Sequence, residues 1–208
     1  MPDTGQKGRL LYAIGVGIFG VALVAGVIQS LRSDGRMPAV DLLANGSSAH
    51  INLLLARKDY KGAIEQLELQ ARIVPYDADN REHLGKLLGS QGRPEEARVH
   101  FQELVRLRPG DAGAHFLLGS TYIDMNQPAL AGRCFAEAIR LNPQLAKAYN
   151  GLGVASAQLG ELTEAEKCFA KAVELAPNSV EAQINLDKAR EKLRVPDGVK
   201  KSAPPSGR

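Results

Sequence analysis

The stretches Val105-Arg106-Leu107-Arg108-Pro109, Ile139-Arg140-Leu141-Asn142-Pro143 and Val173-Glu174-Leu175-Ala176-Pro177 repeat one pattern at one spacing. With the looser Arg72-Ile73-Val74-Pro75 they place Pro75, Pro109, Pro143 and Pro177 at intervals of 34 residues. A proline supplies no backbone donor and clashes with the turn before it, so each of the four closes a helix. A fixed period of this length marks a stacked array whose unit is a pair of helices.

Counting back from each proline defines units 44–77, 78–111, 112–145 and 146–179. Their columns recur in phase. Position 7 reads His50, Leu84, Leu118, Leu152, and position 8 reads Ile51, Gly85, Gly119, Gly153. Position 20 is Ala63, Ala97, Ala131, Ala165, and position 24 is Leu67, Phe101, Phe135, Phe169. Small residues at positions 8 and 20 remove bulk where the two helices of a unit cross, which lets the Leu and Phe side chains be buried between units. One helix pair cannot bury its apolar face alone, whereas four stacked pairs can. Helices are expected at 45–57, 79–91, 113–125 and 147–159, each followed by a partner at 61–73, 95–107, 129–141 and 163–175. Pro94 and Pro128 suit the first turn of a helix.

These columns resemble the tetratricopeptide repeat family over residues 44–179. The resemblance implies an all-α fold: a right-handed superhelical α-solenoid of four helix-turn-helix units. The first unit is irregular, as an end unit with one unpartnered face is expected to be. The family's Trp position holds Ser47, Arg81, His115 and Tyr149. Residues 180–195 read as a capping helix, with Val180, Ile184 and Leu193 expected to face the last unit. The tail 196–208 is rich in Pro, Gly, Ser and Lys and reads as disordered.

Upstream, a short tail 1–9 precedes the uncharged, strongly apolar run 10–31. As a helix that run is roughly 33 Å long, enough to span a hydrocarbon core of about 30 Å. It reads as a single transmembrane helix, joined to the array by a linker, 32–43, that Gly35 and Pro38 interrupt. A cleaved signal peptide is the competing reading. Val24-Ala25-Gly26 offers a cleavage site, but the apolar run continues past it through Val27 and Ile28. Lys7 and Arg9 lean the amino terminus toward the cytoplasm, which puts the array outside it, in the periplasm of a Gram-negative cell.

The chain carries a formal charge of +3. From Ala44 to Pro177 it has 15 basic and 16 acidic residues, so the array is near neutral and is not expected to bind nucleic acid. Chemistry is sparse. Cys134 and Cys168 stand one period apart, at about the 10 Å spacing of neighbouring helices. That is too far for a disulfide, which needs about 7 Å between Cα atoms, or for shared metal ligation. They are expected to be packing residues. His50, His83 and His115 are scattered, and no Walker-type lysine follows Gly85, Gly119 or Gly153. No catalytic residue, cofactor site or metal site is expected, and the chain reads as a non-enzyme.

The resemblance implies a ligand groove on the concave face. On this chain's own numbering, the groove residues singled out are Asn52, Glu82, Lys86, Phe116, Ser120, Ile123, Lys147, Asn150 and Val154. The apolar strip around Phe116, Ile123 and Val154 suits an extended peptide or an amphipathic helix. Some family members clamp a C-terminal carboxylate. Here the matching positions hold Ser48, Asn52, His83, Gly113 and Leu117, and only Asn52 fits, so that clamp is not expected. The implied function is a membrane-anchored adaptor that recruits or assembles a complex. Alternatives are a self-associating scaffold, or an assembly factor of a secretion, pilus or c-type cytochrome system.

Overall fold

The computed structural model describes residues 48–194. The transmembrane segment expected at 10–31, the linker 32–43 and the tail 196–208 lie outside the described residues. The nine described helices are α1 Ser48–Ala56, α2 Tyr60–Ile73, α3 Ala78–Ser90, α4 Pro94–Leu107, α5 Ala112–Asp124, α6 Pro128–Leu141, α7 Ala146–Gln158, α8 Leu162–Leu175 and α9 Val180–Arg194. From α3 to α8 each starts one residue before its expected position. None of the described helices is long and apolar enough to cross a membrane.

The connections explain the regularity of the pairs. Each turn between paired helices has one residue with positive φ, at the same place in every unit: Lys58 (60°), Gly92 (70°), Asn126 (54°) and Gly160 (83°). The next amide in each case reaches back five residues, as in Asp59 N to Leu54 O at 2.9 Å and Gln127 N to Tyr122 O at 2.8 Å. This Schellman closure satisfies carbonyls that a helix end would otherwise leave bare. The starts of α3, α5 and α9 are capped by the last residue of the preceding unit. The Asp77 carboxylate accepts from Asn80 N at 3.1 Å, and Asp111 from Gly113 N at 2.7 Å. Ser179 Oγ accepts from Ala182 N at 3.3 Å before α9.

The chain divides into two compact units between Gln66 and Leu67, inside α2. In the first, α1 and the start of α2 bury Ile51, Ala63 and Ile64. In the second, each helix from α3 to α9 packs on its successor, and α5, α7 and α9 also touch in series. Its core follows the columns. A methyl group at Gly85, Gly119 or Gly153 would come within 2.7, 2.8 and 2.6 Å of the rings of Phe101, Phe135 and Phe169 respectively. The glycines are there because the rings come up against the backbone with no room for a side chain. Where the family's Trp would stand, Arg81 and His115 instead donate to the carbonyls of Pro75 and Pro109, both at 3.1 Å, and so tie down the turns between units.

Helix α9 departs from expectation in the face it buries. Val180 is 71% exposed and Ile184 46%, while Ala182, Leu186 and Ala189 are buried. Leu193 continues the buried stripe but lies in the last turn of α9 and is 39% exposed. The reason is phase: α9 continues the 34-residue register as the first helix of a further unit, so Leu186 takes position 7. It packs with Ala189 on Ala165 and Phe169 of α8. Where Gly85, Gly119 and Gly153 admit a ring, α9 carries the exposed Asp187, which accepts from Gln183 Nε2 at 3.2 Å.

Candidate functional site

The first helices of the third and fourth units, α5 and α7, lie side by side with α9. Between them opens a cavity of ≈ 510 Å³. Six of the expected groove residues line it: Phe116, Ser120, Ile123, Lys147, Asn150 and Val154. Five of these are half-buried and Lys147 is exposed. The other three expected residues are not among its lining. Glu82 and Lys86 pair with each other on α3, and the exposed Asn52 belongs to the first compact unit.

Residues not named as groove residues from sequence shape the floor. Phe135, 1% exposed, reaches the cavity from α6, and its ring lies 5.8 Å from that of Phe116. It is gripped on a second side by Gly151, where a methyl group would come within 2.6 Å of the ring. The Gly151 column reads Ala49, His83, Leu117, Gly151 and follows no pattern, so the repeat alone gives no signal for it. Glu181 of α9 closes one wall by accepting from Asn150 Nδ2 at 2.9 Å, while Asn185 Nδ2 donates to Asn150 Oδ1 at 3.0 Å. Both polar ends of Asn150 are thus engaged in seating α9, and its share in the groove is a wall.

Charge at the mouth is mixed. Lys147 has no ion-pair partner among the described residues. Burial raises the proton affinity of the Asp124 carboxyl above the usual carboxylate range. Among the described residues no three His, Cys, Asp or Glu side chains converge in a way that could hold a metal. Cys134 and Cys168 are free thiols. The Cys168 thiol is pushed up to about 11, first by burial and then by Glu164, with Lys167 opposing. It is a packing group, not a nucleophile. The cavity therefore offers shape, aromatic and aliphatic surface, and a few charges at its rim.

The tetratricopeptide repeat family model matches residues 83–124 and 116–180. Helices α3–α9 form a tetratricopeptide-type solenoid. Solved structures agree. The crystal structure of MamA is 25% identical, with a TM-score of 0.65, covering 69% of this chain and 84% of that one. The first tetratricopeptide domain of Spaghetti (RPAP3), solved bound to the HSP90 peptide SRMEEVD, is 28% identical with a TM-score of 0.55. That match covers 57% of this chain and 94% of the domain. No curated protein sequence matches the chain significantly. A fold of this kind is typically a scaffold for protein interaction.

Proposed function

We propose that this protein is a membrane-tethered adaptor that holds a segment of a partner protein in the groove of α5, α7 and α9, and so recruits or assembles a complex at the membrane. The observation that carries the reading is the ≈ 510 Å³ cavity, floored by Phe135 and flanked by the half-buried Phe116, Ile123 and Val154. Apolar anchors of a peptide or amphipathic helix fit such a site. The RPAP3 domain, of similar fold, holds a peptide. The run 10–31 supplies the tether, with the array outside the cytoplasm, and confinement to a surface raises the effective concentration of both partners.

A photoreactive side chain at position 116 tests the groove. Cross-linking from there to one partner segment, with none from the exposed Arg133 of α6, is the expected result. Capture from position 133 and not from 116 overturns the reading. Lateral self-association into a scaffold is the second reading, favoured by the exposed Ile73, Val74 and Tyr76 at the end of α2. Sedimentation that finds only monomer across the accessible concentration range removes it.

A further inference from the structure

The groove does not end at Val154. This residue also borders a second, open hollow of ≈ 360 Å³, lined by α7, α8 and α9. Its floor is apolar, with Leu162, Phe169 and Ala189, and its rim carries Lys188 and Lys192. The two lysines stand one turn apart on α9 and both are exposed.

Several basic side chains on α4, α6 and α8 are neutralised close by, as in Arg106 with Glu103, Arg140 with Glu137 and Lys171 with Glu174. No carboxylate among the described residues is within ion-pair distance of Lys188 or Lys192. Three of the acids nearby are engaged elsewhere. Glu166 pairs with Arg190, Asp187 accepts from Gln183, and Glu181 accepts from Asn150. Glu191, next to Lys192, makes no ion pair. Like charges four residues apart on a helix repel. A positive edge left unneutralised beside an apolar hollow is complementary to an anionic group attached to an apolar one.

We propose that this second cavity receives an apolar side chain of the partner, and that Lys188 and Lys192 bind an Asp or Glu beside it. The ligand is then an acidic amphipathic segment. It lies with its apolar anchors along Phe116, Ile123 and Val154 and its acidic flank over the last two turns of α9. This rests on the groove reading and adds polarity and direction to it.

The test is selection of random dodecapeptides displayed on phage against the full chain in detergent micelles. Three proteins are compared: the native one, Lys188→Glu/Lys192→Glu, and Ile123→Asp. Both lysines are exposed, and the contacts that seat α9 through Ala182, Leu186 and Ala189 are untouched, so the charge-reversed protein keeps its fold; a thermal melt checks this. The native protein is expected to enrich a large apolar residue flanked by Asp or Glu. A fluorescein-labelled consensus peptide should bind the charge-reversed protein at least about tenfold more weakly. The charge-reversed protein should enrich Lys or Arg flanks instead. Equal affinity of both proteins for the peptide, or a consensus without acids, overturns the proposal and leaves the groove reading intact. No consensus, or one that Ile123→Asp leaves unchanged, overturns both.

Discussion

Lys58 occupies the left-handed turn position that Gly92, Asn126 and Gly160 fill in the other units. Left-handed backbone costs a side chain with a Cβ roughly 1 kcal/mol, so Lys58→Gly is expected to raise local stability by up to about that amount. Slower hydrogen exchange at the α1–α2 turn is the measurement. His100 poses a pH question. Its ring is held below its ordinary proton affinity by burial, then by Arg81, with Glu96 opposing; Arg81 Nη1 lies 3.3 Å from His100 Nδ1. Below its ordinary value the unfolded chain binds the extra proton before the folded one does. Stability is therefore full above about pH 6.5 and falls as pH drops toward the lower folded value. Urea midpoints at pH 7.5 and pH 5 should separate less in His100→Gln than in the native protein. Cys168 should resist thiol reagents at pH 8, because a thiol pushed up to about 11 is almost wholly protonated there. Mass spectrometry after timed labelling would show labelling as fast as that of a free exposed cysteine if this is wrong.

At the scale of elements, the helix pairs from α3 to α8 hold through one ring and one glycine each. Phe135→Ala removes a ring that is 1% exposed and should cost about 3–5 kcal/mol in urea unfolding. The half-buried Phe116→Ala should cost less and weaken partner binding more. That contrast separates floor from mouth. Asn150→Ala would leave Glu181 and Asn185 without their shared partner, and should speed hydrogen exchange across α9 before any other helix. These pairs also show what could be read beforehand. Gly85 with Phe101 and Gly153 with Phe169 recur in every unit but the first, so their period exposes them in sequence. The groove lining on α5 and α7 was legible for the same reason, through repeat position. Gly151 and Phe135 were not linked in advance, because the column of Gly151 varies in every unit and its meaning appears only once its neighbour in space is known. The buried face of α9 was misread from apolar residues alone. Val180 and Ile184 drew attention by hydropathy, whereas register points to Leu186.

For the whole molecule, the proposed tether makes a direct prediction. The full chain should stay with membranes through an alkaline carbonate wash, and deletion of residues 10–31 should release it. A mature amino terminus near Gly26 would instead identify a removed leader. The other end of the chain carries its own instruction. Helix α9 has Asp187 where each complete unit except the first has a glycine, and Gln183 and Arg190 beside it face water or reach to Glu166. Such a surface refuses a further ring. The described array is thus closed at this edge by a handful of polar side chains. Asp187→Gly with Gln183 and Arg190 made apolar would turn that edge into a socket, so a designer could lengthen this protein by one unit and keep the groove behind it unaltered.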